Sequence, residues 1–399
     1  MNPVLNPFAP GAGTPPPELA GREKLREDVR IAIARIRTGR AAKSVMLVGL
    51  RGVGKTVLLD RLRMDAEAAG VFTVRAETPE KKSLPALLAP QLRQVLLRLS
   101  HVSKAKDLAE RGLRALTGFA KALKVKYHDI EVGIDFGPEA GLADNGDLEG
   151  DLTAVLEQVG RAAAKAGTAV ALFLDEVQYL EEDQFAALIS ALHRCAQQQL
   201  PVTVVGAGLP QLLALAGNAK SYAERLFDFP FIGPLTANDA RTALAKPAQA
   251  EGVDFQPAAL EEILRLTRNY PYFLQEWGKH SWDAASKSPI TRKDVLQATA
   301  SAVAALDESF FRVRFDRTTP KEKQYLRAMA ELGAGPHRSG DVAATLGKPV
   351  STVAPLRQSL IVKGMVWSPS HGETAFTVPL FDEYMKRIMP GEDWKTEKL

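Results

Sequence analysis

At 399 residues, and about 150 residues per domain, the chain has room for two or three domains and a sizeable core. Hydrophobic residues make up 46% and charged residues 25%, which excludes wholesale disorder and collagen-like or low-complexity architectures. The net charge, 51 − 47 = +4, neither demands nor forbids a polyanionic partner.

The first twenty residues carry Pro3, Pro7, Pro10, Pro15, Pro16 and Pro17 with Gly11 and Gly13, which predicts an extended arm that cannot hold a helix. Met1 to Gly13 has neither the basic start nor the apolar core of a signal peptide. Leu25, Val29, Ile33 and Ile36 recur at helical spacing and predict a helix over about Arg22–Arg37. Val45-Met46-Leu47-Val48 is wholly apolar and ends in glycine, the form of a strand buried on both faces of a parallel sheet. Val71–Val74, Val170–Leu174 and Val202–Val205 repeat that form, with helical patterns such as Asp151–Ala164 and Asp183–Gln198 between them. Strands alternating with helices mean an α/β sheet of parallel strands. Cys195 is the one cysteine, so no intrachain disulfide or multi-cysteine zinc site can form, and a reducing, cytoplasmic setting is expected. No apolar run approaches the ~18 residues that a membrane-spanning helix needs.

After Pro234 the strand patterns stop. Thr236 followed by Asp239 resembles a capping box, and helices are predicted at about 237–251, 257–268, 271–286 and 292–308. Thr319-Pro320-Lys321-Glu322 supplies an N-cap, a proline at the first helical position and a capping glutamate. Punctuation at Gly333–Pro336 and at Gly347 through Val350 separates three short helices. The last runs over about Ser351–Lys363, with Pro355 near its first turn and Gly364 closing it. Val366-Trp367 and Ala375–Val378 flank a Ser-Pro-Ser-His-Gly turn and predict a hairpin. Three helices followed by a hairpin make a winged helix-turn-helix pattern.

The chemistry begins at Gly49-Leu50-Arg51-Gly52-Val53-Gly54-Lys55-Thr56, which fits the P-loop pattern G-x-x-x-x-G-K-[ST]. Glycines let successive backbone N–H groups curl around a phosphate, while the following helix, with Val57, Leu58, Leu59 and Leu62, points its positive end at the same anion. Lys55 would reach the β- and γ-phosphates and the Thr56 hydroxyl would ligate Mg²⁺. A glycine-rich turn before a helix is the bland alternative, and a buried strand on one side with an amphipathic helix on the other argues against it. A P-loop also needs an acid for the metal. Val170–Leu174 delivers Asp175-Glu176 at its carboxyl end: Asp175 to orient Mg²⁺, Glu176 to polarise the attacking water. An Asn-Lys-x-Asp guanine signature is absent, which favours ATP.

These residues resemble AAA+ ATPases, in particular the branch holding replication-initiator (origin-recognition type) and STAND signalling ATPases. Leu19-Ala20-Gly21-Arg22-Glu23 is similar to that family's GRE box, which implies that Gly21 and Arg22 lie near the adenine. Asp175-Glu176 matches its Walker B pair. Ser221–Arg225, ahead of Phe229-Pro230, stands where the family carries an arginine finger, so Arg225 would reach the γ-phosphate of a neighbouring subunit in a homo-oligomer; without the resemblance it reads as a solvated helix arginine. Asn269-Tyr270-Pro271 resembles the lid motif Gly-x-Pro, which adds Pro271 to the nucleotide site. The resemblance runs from about Pro15 to Arg387 and implies an α/β P-loop NTPase sheet domain with an α-helical lid and a C-terminal winged helix-turn-helix domain. Expected bounds are an arm at 1–20, the ATPase domain at 21–235 with a charged insertion at about 81–151, the lid at 236–311, the winged helix at 312–390 and a tail at 391–399. Three positions depart from the family pattern. Gly206-Ala207-Gly208 follows Val205 where a polar sensor residue is expected, with Thr203 the nearest polar side chain. Asn269 replaces the lid glycine, and Arg268 is the one adjacent candidate for a second sensor. They imply slow hydrolysis suited to a switch rather than a motor.

The net charge conceals two runs. Residues 81–126 hold eleven Lys/Arg (Lys81, Lys82, Arg93, Arg98, Lys104, Lys106, Arg111, Arg114, Lys121, Lys124, Lys126) against Asp107 and Glu110, and residues 127–151 hold eight acids and no Lys or Arg. Intramolecular pairing or solvated faces is the plain reading; a basic ridge for nucleic acid or an acidic partner is the other. In the expected recognition helix, Ser351–Lys363, only Arg357 and Lys363 are basic, a thin footprint for phosphates. Two functional classes follow. One is an ATP- and Mg²⁺-dependent switch whose nucleotide state controls oligomerisation and engagement of duplex DNA or a partner, through Ser351–Lys363 and the 81–126 segment. The other is a STAND-like signalling or assembly ATPase acting through protein contacts alone.

Overall fold

Six consecutive buried residues form β1, Ser44–Gly49, and the strands β3, Val170–Asp175, and β4, Val202–Gly208, are buried throughout as well. The computed structural model describes residues 1–11, 13–78, 83–124 and 136–395, so Lys81, Lys82, Lys126, Asp129, Glu131 and Asp135 of the two charge runs lie outside the described residues. With β2, Phe72–Glu77, and the two-residue β5, Phe227–Asp228, these strands form one sheet of order β2-β3-β4-β1-β5, with β6, Phe231–Ile232, beside β1. The pairs among β1 to β5 are parallel, which is why the central strands read as almost wholly apolar runs. β2 lies at the end of the order, and its pattern alternates: Thr73, Arg75 and Glu77 are not buried, Val74 and Ala76 are.

The chain divides into two compact units: a sheet unit of Arg22–Val48 and Lys55–Phe231, and a helical unit of Met1–Gly21, Gly49–Gly54 and Ile232–Leu399. In the sheet unit the helices are α1 (Glu23–Arg37), α2 (Lys55–Ala68), α3 (Leu84–Ser100), α4 (Lys106–Ala122), α5 (Leu148–Ala166), α6 (Glu182–Gln197), α7 (Leu212–Ala219) and α8 (Ala223–Leu226). The segment singled out for its charge folds into α3 and α4, whose apolar stripes are buried: Leu88, Leu92 and Leu96 on one, Leu113, Leu116 and Phe119 on the other. Arg93, Arg98, Lys106, Arg111, Arg114 and Lys121 therefore occupy the outer faces of core helices. Asp147 N-caps α5, accepting from Gly150 N–H at 2.8 Å, and the left-handed Gly167 ends it.

In the helical unit, α9 (Ala237–Ala250), α10 (Pro257–Thr267), α11 (Pro271–Ala284) and α12 (Arg292–Ala305) fall where the periodicity puts them. The Thr236 hydroxyl caps α9 by accepting from Asp239 N–H at 3.2 Å. A π-helical segment, Leu306–Phe311, leads into α13, Arg312–Phe315. Then come α14 (Pro320–Leu332), opened by a complete Thr319–Glu322 capping box, β7 (His337–Arg338), α15 (Ser339–Leu346), α16 (Val350–Val362), β8 (Val366–Trp367), β9 (Glu373–Phe376) and α17 (Phe381–Ile388). The three strands pair antiparallel in the order β7-β9-β8. Pro355 lies in the second turn of α16, not near its first: the helix starts at Val350, so the missing N–H removes a bond that would reach back to Ser351.

Among its described residues the proline-rich arm holds no α-helix, has one 3₁₀ turn at Pro3–Leu5, and is tied down through Asn2, Asn6 and Phe8. Phe8 is 3% exposed and meets Phe255 edge-on at 6.2 Å, and a Cβ on Gly278 would come within 2.7 Å of the Phe8 ring. The Trp282 indole donates to the Asn2 carbonyl at 3.0 Å, and Asn6 Nδ2 donates to the Lys279 carbonyl at 3.0 Å. No described helix is long and apolar enough to cross a membrane.

Candidate nucleotide-binding site

Within the sheet unit, α2 begins at Lys55, which is 8% exposed, a strongly buried place for a cation. The Thr56 hydroxyl hydrogen-bonds the Asp175 carboxylate at the end of β3. Asp175 is itself buried, and burial raises its pKa; Thr56, Arg75 and the Glu176 N–H pull it down again, and the Glu176 carboxylate pushes it up. Arg75 comes from the neighbouring strand, Nη2 lying 3.5 Å from Asp175 Oδ2 while Nε donates to Asp60 Oδ1 at 2.9 Å. A buried carboxylate beside a hydroxyl is the donor set that a hard divalent cation takes. The residues therefore fit Mg²⁺.

Glu176 adopts a left-handed backbone, φ 54° and ψ 37°, uncommon for a non-glycine residue. Thr78, just past β2, fixes it: its hydroxyl donates to the carbonyls of Asp175 at 2.7 Å and Glu176 at 2.6 Å. Gln178 donates from Nε2 to Glu176 Oε2, and its Oε1 accepts the Leu209 N–H at 2.9 Å. Thr203 takes no part. It lies at the other end of β4, 2% exposed, with its hydroxyl 3.1 Å from that of Ser44. Arg22 is the N-cap of α1, Val57 lies in the first turn of α2, and Arg225 is exposed in the four-residue α8.

Within the helical unit, the loop Gly49–Gly54 has Gly52 at φ 78° and Gly54 at φ 85°, conformations that need glycine. The Gly52 carbonyl accepts from Tyr272 N–H at 3.1 Å, and the Arg51 N–H donates to the Thr377 carbonyl at 3.0 Å. Val53 is buried, and Leu50 and Gly49 make further interactions. Thr377 is fixed in turn, its hydroxyl donating to the carbonyls of Gly364 at 2.6 Å and Met365 at 2.9 Å. The Tyr272 ring stacks on Phe310 at 4.7 Å, and burial first, then Glu276, pushes the Tyr272 phenol up to about 12. Pro271 is the first residue of α11. Arg268 and Asn269 are both left-handed, at φ 49° and 60°, and asparagine tolerates that backbone better than most residues, which accounts for its place in a motif that usually carries glycine. Arg268 closes on Glu383 of α17 at 2.9 Å. Gly21, at φ 71°, packs so closely that a Cβ there would meet the Asp239 carboxylate.

Several described members of the charge runs are used internally. Glu139 accepts from Arg111 at 2.9 Å and lies 3.5 Å from Arg114, Glu149 pairs with Lys220 at 2.9 Å, and Asp144 and Asp147 each accept a nearby backbone N–H. Asp151 is fully buried and holds the N–H groups of Asn145 and Gly146. Arg357 is likewise spent, bonding Thr374, Ser368 and the Glu373 carbonyl at 2.7, 2.7 and 2.8 Å, and Lys363 pairs with buried Glu322 at 2.7 Å.

The AAA ATPase domain family matches residues 18–205, which hold Gly21, Arg22, the whole P-loop, Asp175 and Glu176. The chain carries an AAA+ P-loop ATPase domain. A domain of unknown function (DUF8462) matches residues 308–385, following the AAA+ domain. The Walker-type ATPase paby2304 of Pyrococcus abyssi shares the fold, with a TM-score of 0.58 at 14% identity over 95% of this chain and 99% of that one. Matches at lower TM-score include the Thermotoga maritima RuvB Holliday junction branch migration motor, at 0.44 and 16% identity over 96% and 98% of the two chains. The Aeropyrum pernix Orc1 protein in complex with DNA matches at 0.45 and 18% identity over 93% and 94%. No curated protein matches the sequence. The sequence by itself does not mark Arg75, Thr78 or Gln178 beside Asp175 and Glu176 in the sheet unit, nor the Thr377 carbonyl beside Arg51 in the helical unit.

Proposed function

We propose that the chain is a slow ATP-hydrolysing switch that binds ATP through Gly49–Val57 and relays its nucleotide state to the C-terminal module at 312–390. Lys55 meets the β- and γ-phosphates, Thr56 and Asp175 hold the metal, and Gly21, Arg22 and Pro271 line the base. Mg²⁺, when bound, neutralises charge developing on the phosphates. Glu176 takes a proton from water as its oxygen attacks the γ-phosphorus; the bond to the β-phosphate oxygen breaks and ADP leaves with that electron pair. Arg225 of a neighbouring protomer completes the hydrolysing state in a homo-oligomer.

One observation carries the relay: the Arg51 N–H is bonded to the Thr377 carbonyl. A P-loop that reshapes around phosphate disturbs that bond, and the module senses it without a separate sensor arginine. Arg268, paired with Glu383 on α17, supports the same coupling.

The module has the winged-helix order of helix, strand, helix, helix and hairpin. Because Arg357 and Lys363 are already engaged, a protein contact is favoured over duplex DNA as its output. Nucleotide affinity, turnover and size-exclusion mass with and without duplex DNA test both readings, on wild type, Lys55→Ala and Glu176→Gln. Lys55→Ala should lose ATP affinity, and Glu176→Gln should bind ATP without turnover. Retained affinity in Lys55→Ala defeats the site. Salt-sensitive duplex binding that stimulates turnover would return the output to DNA.

A further inference from the structure

β4 ends in Val205-Gly206-Ala207-Gly208, with no polar side chain at the end nearest Asp175 and Glu176. The space is filled from another element. Gln178 sits in the 3₁₀ turn Val177–Tyr179 that follows β3, and its side chain reaches the end of β4. A Cβ on Gly208 would lie 2.7 Å from Gln178 Oε1, so the glycine makes room for the amide. Oε1 accepts the Leu209 N–H at 2.9 Å, and that acceptor role turns the Nε2 group toward Glu176 Oε2, to which it donates.

The backbone under Glu176 is held equally firmly. Its left-handed conformation is uncommon without glycine, and the Thr78 hydroxyl binds its carbonyl at 2.6 Å. Carboxylate and main chain are thus each fixed by a side chain from outside the Gly49–Thr56 loop. We infer that Gln178 is the positioning residue for Glu176, supplying from the β3 turn the polar group that β4 lacks. The role explains the residue type. Glutamine offers an acceptor and a donor at the end of two methylenes; asparagine is one carbon short, leucine has neither group, and glutamate would set a second acid against Glu176. This inference rests on the hydrolysis reading above.

The test compares ATP turnover, affinity for a fluorescent ATP analogue and thermal midpoint in wild type, Gln178→Leu, Gln178→Glu, Glu176→Gln and the double variant Glu176→Gln/Gln178→Leu. Gln178→Leu and Gln178→Glu should lose turnover by about tenfold to a hundredfold, the cost of a misplaced catalytic group, while affinity and midpoint stay near wild type. The double variant should be no slower than Glu176→Gln alone, because the amide acts through that carboxylate. Full or faster turnover in Gln178→Leu overturns the inference while leaving the hydrolysis reading in place. So does a parallel fall in turnover, affinity and midpoint, which marks a merely structural residue, or a further loss in the double variant. A wild-type chain that binds ATP without turning it over overturns the hydrolysis reading and this inference with it.

Discussion

The backbone N–H of Arg51 donates to the carbonyl of Thr377 at 3.0 Å, joining the phosphate loop to the strand end that closes the C-terminal hairpin. The Thr377 hydroxyl and N–H are both turned back onto Gly364 and Met365, so the carbonyl that Arg51 meets is rigidly held. Mg-ATP is expected to change hydrogen exchange at 49–54 and at 373–380 together, and Lys55→Ala to abolish both changes. A change confined to 49–54 would separate the module from the nucleotide.

Glu322 ties the module's acid stability to one lysine. Burial opposes its ionisation, yet Lys363, Ser359 and the Thr319 N–H together hold its pKa below the ordinary 4.5. A depressed folded-state pKa gives stability that is full above the unfolded value and lost as pH falls through the folded one. Lys363→Met should therefore lower the thermal midpoint near neutral pH, by roughly 1–3 kcal/mol of stability. It should also move the acid limb of the stability profile to higher pH. An unchanged acid limb would remove Lys363 from the account.

Cys195 is buried in α6, and burial, with the charge of Glu157 second, pushes its thiol up to about 12. An aromatic disulfide reagent at pH 8 should leave the native chain unmodified and titrate one thiol in denaturant. Rapid labelling of the native chain would contradict that burial.

Arg225 is exposed, as a residue acting on a neighbouring protomer must be, and so is a merely solvated arginine. Arg225→Ala should bind ATP normally and lose at least about tenfold in turnover, in keeping with arginine fingers elsewhere. Mixing it with Lys55→Ala should restore activity, since each protomer supplies what the other lacks. Wild-type turnover from Arg225→Ala at every protein concentration would leave only the solvated reading.

The amino-terminal arm should behave as part of the helical core. Phe8→Ala removes a ring that is 3% exposed and should cost about 3 kcal/mol, whereas Val4→Ala, at a position 88% exposed, should cost almost nothing. Equal midpoints for the two variants would show the arm to be dispensable.

The strands and the placing of Thr56 beside Asp175 were legible in the chain because their signals are local. Parallel strands buried on both faces are strongly apolar, and β1, β3 and β4 are, apart from Ser44, Asp175 and Thr203. Lys55, Thr56 and Glu176 each follow such a strand within a few residues and Asp175 ends one, so their neighbourhood could be inferred without coordinates. Gln178 was also local in sequence, yet its role depends on Leu209, thirty-one positions away, and nothing in the spacing announces that bond. For the charge runs the sequence left internal pairing and a basic ridge both open. Their sign is plain in the sequence, but α3 and α4 are core helices whose outer bases meet acids such as Glu139.

The net charge of +4 is a sum over groups whose partners the sequence does not name. By itself the chain determined the α/β alternation, the phosphate loop and the acidic pair, because apolar periodicity and glycine placement act over a few residues. Only the tertiary structure decided which charges are spent. Arg357 and Lys363 look like phosphate contacts in a string of letters. In the fold they hold a hairpin and a buried glutamate, because a desolvated carboxylate or carbonyl draws the nearest cation whatever its distance along the chain.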